Sequence, residues 1–124
     1  MAEAIAPDTP VHRVGGGNAV NLRLSAADIL ETPPGISVLF GGTPQEAAVQ
    51  MRRAFPRSRK WQAASGTVGT APLAAVRRAG FDVLLDPTAR FPNHGRLIHP
   101  NGAAGFDDAN LSALSQAFLD TTGC

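Results

Sequence analysis

The chain has one cysteine among its 124 residues, and this residue, Cys124, is the last. A single thiol cannot form an intramolecular disulfide, and it leaves a cysteine-based metal site without a second thiolate. We therefore expect the protein to work in a reducing compartment, the cytoplasm.

Long apolar runs are also missing. No stretch approaches the roughly 18 residues that a membrane-spanning helix needs. The first ten residues, MAEAIAPDTP, lack the basic start and the apolar centre of a signal peptide. We expect a soluble protein without membrane contact, and any export would use a machine that needs no cleaved signal.

Size and composition indicate one folded domain. A chain of 124 residues has the commonest size of a single domain and no room for two ordinary cores. Hydrophobic residues make up 44% and charged residues 17%, unlike the apolar-poor, highly charged composition of a disordered chain. The proline-broken start predicts a flexible arm over residues 1–10, followed by a single domain over residues 11–124.

The net charge of +1 conceals a basic centre. Residues 52–96 hold nine basic and two acidic residues and carry +7, whereas residues 1–51 and 97–124 carry −3 each. Such a charge distribution attracts phosphate groups, either of a dinucleotide or of a nucleic acid. The alternative is an ordinary solvated helix face around MRRAFPRSRK.

Apolar and β-branched runs bounded by turn residues predict the strands of a small α+β domain. These runs are VHRV (11–14), NAVNLRLS (18–25), ISVLF (36–40), FDVLL (81–85) and GRLIH (95–99). Because the runs are short and helical patterns interleave with them, we expect a short mixed or antiparallel sheet with about three packed helices.

Helix-start signals place those helices. A capping box, with Thr43 as the cap and Glu46 three residues later, predicts the first start. Ser25 can cap a brief helical turn, and Trp61 is the expected core anchor of an ambiguous segment. The predicted helices run from about Pro44 to Ala54, from about Ala71 to Ala79, and from the cap Asp107 to about Gly123.

The segment FPNHGRLIHPNG is the richest in chemically active side chains. Histidine exchanges protons near neutral pH, and arginine holds phosphates through its planar fork. His94 and Arg96, together with His12 on the first strand, are therefore our candidate catalytic residues. In one unbroken strand, His94 and Arg96 share a face while His99 points the other way. The alternative is that His94 and His99 only hydrogen-bond turn backbone beside their neighbouring prolines.

Arg13 is a candidate ligand-binding residue on the same strand as His12. Because side chains alternate along a strand, one of these two must face inward or toward a cleft, and a buried arginine needs an anion or a paired carboxylate. The GGGN that follows has neither the spacing nor the lysine of a Rossmann or Walker loop. A metal site is not expected either, since His94 and His99 lack helical spacing and a third ligand.

An early strand with arginine (VHRV), a GISVLF strand, and a late NHGRLIHP segment running through GF into an amphipathic helix stand in this order. Together they cover about a third of the chain. This combination resembles bacterial polymorphic and type VI secretion toxin domains, in particular small ADP-ribosyltransferase-like effectors. The resemblance implies a toxin that uses NAD to modify an intracellular target, and a cognate immunity protein.

The same resemblance implies roles for three residues. Arg13 would hold a phosphate or ribose of NAD, Ser37 would lie in the strand that shapes the nicotinamide pocket, and His94 would line the cleft. Many such transferases stabilise the ribosyl cation with a glutamate late in the chain, but no glutamate follows Glu46. The transferase hypothesis therefore requires an atypical site.

Two other functions fit the same residues. The basic centre and the histidines suit a metal-independent ribonuclease toxin, in which one histidine acts as base and another as acid. A non-enzymatic binding module would only dock its basic face on an acidic partner. Both enzyme hypotheses require Arg13 and His94 to face a common cleft.

Overall fold

The computed structural model describes residues 5–124. Six strands form one sheet in this part of the chain: β1 (Pro10–Val14), β2 (Gly35–Phe40), β3 (Thr67–Pro72), β4 (Asp82–Leu85), β5 (His94–Ile98) and β6 (Leu119–Thr122). The α-helices are α1 (Ala26–Ile29), α2 (Pro44–Ala54), α3 (Arg59–Ala64), α4 (Leu73–Arg78) and α5 (Asp108–Ala117). A 3-10 turn at Gly102–Gly105 precedes α5. None of these described helices is long and apolar enough to cross a membrane.

The strands lie in the order β4-β5-β2-β1-β3-β6, and every neighbouring pair is antiparallel. The predicted α+β class is confirmed, and of the two predicted sheet types the antiparallel one is correct. The described chain holds five α-helices instead of about three. The two additional helices are α1, the brief turn that Ser25 predicts, and α3, a six-residue helix in the ambiguous segment around Trp61.

Helices cover both faces of the sheet. Helices α4 and α5 pack on one face, here called the α5 face, over a core that includes Val11, Ile36, Val38, Leu73, Val76, Val83, Leu97, Leu111 and Leu114. Helices α2 and α3 cover the other, the α2 face, over Val14, Leu39, Ala47, Ala48, Val68 and Phe91. Because successive side chains of a strand alternate between faces, the register assigns each strand residue to one of them.

Side-chain caps begin the helices where the sequence predicts them. Thr43 Oγ1 accepts a hydrogen bond from the Glu46 amide, and Glu46 Oε1 accepts one from the Thr43 amide, both at 3.1 Å. Asp107 accepts the Asn110 amide at 2.8 Å and starts α5. Trp61 packs against the core of the α2 face, as expected. The predicted bounds of α2 are confirmed.

The last two residues of β3 and all of β6 lie where the sequence predicts helix. The predicted second helix begins at Ala71, but Ala71 belongs to β3 and α4 starts at Leu73. The predicted third helix reaches Gly123, but α5 ends at Ala117 because Phe118 adopts an extended conformation. The chain then continues as β6, which pairs with β3. Pairing with an open sheet edge outweighs the local helical pattern here.

Residues 18–25 are a predicted strand, but residues 18–23 form consecutive turns instead. The main-chain carbonyl and the side-chain carbonyl of Asn18 both accept the Asn21 amide at 3.0 Å. Such local bonding by asparagine competes with strand pairing. Leu22 is nevertheless fully buried in the core of the α5 face.

The described part of the predicted arm contacts the domain. The carbonyl of Pro7 accepts the Ala74 amide at 2.8 Å, and that of Thr9 accepts the Leu73 amide at 3.0 Å. Ile5 packs against the core of the α5 face. Residues 5–9 thus lie against the start of α4, and residues 1–4 of the predicted arm lie outside the described residues.

Candidate functional site

The central strands β1 and β2 pair at only two positions, Val11 with Phe40 and His12 with Leu39. By contrast, β1 pairs with β3 over five positions, and β2 pairs with β5 over five. Beyond His12 the two strands therefore separate, and a gap opens inside the sheet beside Arg13.

A cavity of about 200 Å³ lies beside this gap, between the sheet and helices α2 and α3. Four of the five predicted site residues line it: His12, Arg13, Ser37 and His94. The other lining residues are Val14, Val38, Leu39, Met51, Phe55, Trp61, Thr88 and Phe91. No aspartate or glutamate of the described chain is among them.

Three aromatic side chains, Phe55, Trp61 and Phe91, stand together in the cavity wall. The centroid of the Phe55 ring lies 6.1 Å from that of Trp61 and 6.0 Å from that of Phe91. Local sequence explains their placement: Phe55 is the C-cap residue of α2 before Pro56, and Ser58 caps α3 by accepting the Trp61 amide at 3.2 Å. We call these three rings the aromatic wall; Trp61 among them is the residue that the sequence predicts as a core anchor.

His94 is held by Asp86, a residue that no sequence motif marks. The Nδ1 atom of His94 lies 2.8 Å from the main-chain carbonyl oxygen of Asp86 and 3.4 Å from its carboxylate Oδ2. A carbonyl only accepts, so Nδ1 carries the proton and Nε2 keeps its lone pair. Within the described chain, Nε2 has no hydrogen-bond partner. His94 can therefore act as a proton acceptor.

Arg96 shares the α2 face with His94, as strand alternation predicts, but it does not line the cavity. Its Nη2 lies 3.6 Å from Asp86 Oδ2, and its Nη1 lies 3.6 Å from Glu31 Oε2. The same Nη1 donates to the carbonyl oxygen of Pro33 at 2.7 Å. Arg96 thus holds the carboxylate that faces His94. This placement favours a positioning role over the predicted direct contact with a phosphate.

His12 is fully buried, and both of its ring nitrogens have partners. Nε2 donates to the carbonyl oxygens of Gly41 and Gly42 at 3.0 and 3.2 Å, and Nδ1 accepts from Thr70 Oγ1 at 2.8 Å. Burial lowers the pKa of His12, although the two carbonyl bonds and the charge of Glu46 oppose the shift. A neutral imidazole with both nitrogens engaged supports the cavity wall and has no free atom for proton transfer.

Arg13 fills the gap between the separated strands. Its Nε donates to the carbonyl oxygen of Asn21 at 2.9 Å, and its Nη1 donates to that of Ser37 at 2.8 Å. Burial lowers the pKa of Arg13, and the charge of Asp28 opposes the shift. The register places its Cβ on the α5 face, whereas His94 lies on the α2 face. Both residues nevertheless line the same cavity, which they approach from opposite faces of the sheet.

Ser37 lines the cavity, whereas His99 lies outside it. Ser37 is exposed and lines the cavity, and its hydroxyl has no hydrogen-bond partner in the described chain. His99 lies outside the cavity, with its ring centroid 4.8 Å from that of Phe81 in the core of the α5 face. The Nδ1 atom of His99 accepts the Asn101 amide at 3.1 Å. The alternative of a histidine bonded to turn backbone therefore holds for His99.

A basic band lies along the end of α2, helix α3 and the β4–β5 loop. It consists of Arg52, Arg53, Arg57, Arg59, Lys60 and Arg90. The Lys60 ammonium lies 4.8 Å from the centroid of the Trp61 ring, and the Arg90 guanidinium lies 5.1 Å from that of Phe55. None of the six forms an ion pair within residues 5–124. The basic centre of the sequence thus borders the aromatic wall.

Among the described residues, no group of three or more histidine, cysteine, aspartate or glutamate side chains is placed to hold a metal ion. Comparisons with family models, with curated proteins and with solved structures give no match to this chain.

Proposed function

We propose that this chain is a bacterial toxin domain of the ADP-ribosyltransferase-like type, which uses NAD to modify an intracellular target. The observation that carries the proposal is the cavity itself. It collects Arg13, Ser37 and His94, the three residues to which the toxin resemblance gives a role, although they come from three different strands.

The size and lining of the cavity fit one end of NAD. Pockets for whole drug-sized ligands usually measure about 300–1,000 Å³, so the cavity of about 200 Å³ accommodates one ring system and leaves the remainder outside. The nicotinamide ring of NAD is cationic, and aromatic faces attract cations. The aromatic wall and the free Ser37 hydroxyl therefore suit nicotinamide and its carboxamide, with Ser37 as the polar contact.

His94 would supply the acid–base chemistry. In the transfer, the bond between the nicotinamide nitrogen and ribose C1′ breaks, and nicotinamide leaves with the electron pair. A nucleophilic group of the target bonds to C1′ and gives its proton to His94 Nε2, which has a free lone pair. Asp86 then lies beside the imidazolium and stabilises its charge. This scheme uses no late glutamate, and none of the described carboxylates lines the cavity.

The test is NAD cleavage and label transfer by the purified chain. Nicotinamide release is measured with NAD alone, and transfer is measured with labelled NAD and bacterial extract. We expect both activities in the wild type and their loss in His94→Gln, whereas His99→Gln, altered outside the cavity, should retain them. A wild-type protein that neither releases nicotinamide nor transfers label would refute the proposal.

A metal-independent ribonuclease is the second candidate, and the basic band favours it. Six cations without described ion-pair partners form a surface suited to a polyanion. The two enzymes separate in one assay, since a ribonuclease cleaves RNA in EDTA without NAD. Cleavage that is lost in His94→Gln and retained in His99→Gln would favour this candidate over the transferase.

Inducible expression in bacteria tests the toxin part of the proposal separately from its reaction. We expect growth arrest with the wild type and normal growth with His94→Gln at equal protein levels. Harmless wild-type expression would favour the third candidate, a binding module that docks on an acidic partner. A cognate immunity protein should relieve the arrest when both are expressed together.

A further inference from the structure

A second concave surface lies on the outer side of α2. It is an open groove of about 600 Å³ between α2 and the β4–β5 loop, and Gln45, Gln50, Arg53 and Arg90 contribute to its lining. The side-chain amides of Gln50 and Asn93 bond to each other at 2.6 and 3.2 Å. This amide pair fixes α2 to the start of β5, so the groove has a defined shape.

The charge of this groove is positive. Arg53 and Arg90 form no ion pair within the described chain, and both are exposed. Glu46 also lines the groove and keeps its negative charge, so the two arginines and this carboxylate together carry a net charge of +1. Two free guanidinium groups on one concave surface are the donors that bind phosphate oxygens.

The groove adjoins the cavity. Arg90 lines the groove, and its guanidinium lies 5.1 Å from the centroid of the Phe55 ring, which lines the cavity. A ligand with one ring in the cavity can therefore pass over Phe55 and place its next groups beside Arg90. Arg13 is less suited to the phosphates, because two of its nitrogens already donate to main-chain carbonyls.

We infer that the groove binds the adenosine diphosphate half of the dinucleotide, with Arg53 and Arg90 as the ligands of its phosphates. This inference deepens the proposed function and rests on it for the identity of the dinucleotide. It divides NAD between two surfaces: the nicotinamide enters the small cavity, and the pyrophosphate and adenosine lie along α2.

Titration calorimetry of the full chain with ADP, AMP and adenosine tests the groove without any catalytic step. We expect ADP to bind more tightly than AMP, and AMP more tightly than adenosine. Arg53→Gln and Arg90→Gln should each weaken ADP binding by about tenfold, the effect of one charged hydrogen bond. The control is the double variant that combines Arg23→Gln and Arg78→Gln. It removes two exposed charges outside the groove and should leave ADP binding unchanged.

The assignment of ADP binding to the groove and the proposed function are tested by different measurements. NAD cleavage by the wild type decides the proposed function, whereas ADP binding decides the groove. The groove assignment is overturned if ADP does not bind, if it binds the two groove variants as tightly as the wild type, or if the control pair weakens it equally. Binding of a short RNA without binding of ADP would also overturn it and would favour the ribonuclease.

Discussion

Asp86 contacts His94 with both its main chain and its side chain. The carbonyl oxygen of Asp86 lies 2.8 Å from His94 Nδ1, and the carboxylate Oδ2 lies 3.4 Å from the same nitrogen. The carbonyl fixes the tautomer, and the carboxylate places a negative charge beside the ring. A histidine whose second nitrogen is held in this way is the usual arrangement of a general base.

The substitution Asp86→Asn separates these two effects, because it keeps the carbonyl and removes only the negative charge. We expect the kcat of NAD cleavage to fall by about tenfold, less than the 10²–10⁴-fold contribution of a general base, since the tautomer is still fixed. Initial rates of nicotinamide release measure the change. The matched control is Asp82→Asn, which neutralises a carboxylate paired with Arg77. An increase in KM at unchanged kcat would contradict the positioning role.

Buried His12 should make stability depend on pH. Burial lowers its pKa in the folded protein below 6.5, while the unfolded chain keeps the ordinary value. When the pH falls below about 6.5, the unfolded state therefore binds a proton that the folded state does not, and the free energy of unfolding decreases. The stability that is present above this pH should be lost progressively as the pH falls toward the folded pKa.

Urea unfolding between about pH 7.5 and about pH 5 measures this loss. The comparison is with His12→Gln, which has no titrating ring and retains a donor for the carbonyls of Gly41 and Gly42. We expect the variant to be less stable at neutral pH and to show a shallower dependence on pH. Equal slopes in the two proteins would assign the dependence to other groups.

The sequence predicts those parts of the fold that have local chemical signals. Thr43 and Glu46 cap α2 through their own side chains, so its bounds follow from a few neighbouring residues. β3 and β6 have no such signal, because pairing between strands distant in the sequence stabilises them. The sequence up to Phe118 has a helical pattern. The residues that follow nevertheless pair with the open edge of β3 and form a strand.

The site shows the same limit. Strand alternation correctly places His94 and Arg96 on one face and sends His99 to the other side. It could not identify Asp86, because the contact with His94 depends on how the β4–β5 loop folds back. The position of Arg13 could not be predicted from the sequence either, because the gap that it fills results from the short pairing of β1 with β2.

Arg13 should stabilise the fold through its shape as well as its charge. Arg13→Lys keeps the positive charge, but one ammonium cannot reproduce the two directed bonds to the carbonyls of Asn21 and Ser37. We expect the free energy of unfolding to fall by about 1.5–3 kcal/mol, the contribution of a charged hydrogen bond. Urea unfolding measures the effect, with Arg23→Lys on the exposed surface as control. Equal stability of Arg13→Lys and the wild type would show that the two bonds from Arg13 to the carbonyls of Asn21 and Ser37 do not stabilise the fold.

The aromatic wall should discriminate between the two halves of NAD. Phe55→Leu keeps an apolar side chain but removes the ring that lies beside Trp61 and Phe91. We expect NAD to bind about fivefold more weakly, which corresponds to about 1 kcal/mol for one aromatic contact. ADP lacks the nicotinamide ring, so its affinity should change little.

Titration calorimetry of the Phe55→Leu variant with both ligands provides the comparison. The control is Phe106→Leu, which removes a ring packed on Phe81, 5.3 Å away between centroids, in the core of the α5 face. That variant should bind both ligands as the wild type does, because the substituted residue lies outside the cavity and the groove. If Phe55→Leu weakens NAD and ADP equally, the ring in the cavity is not nicotinamide, and Phe55 acts only by supporting Arg90.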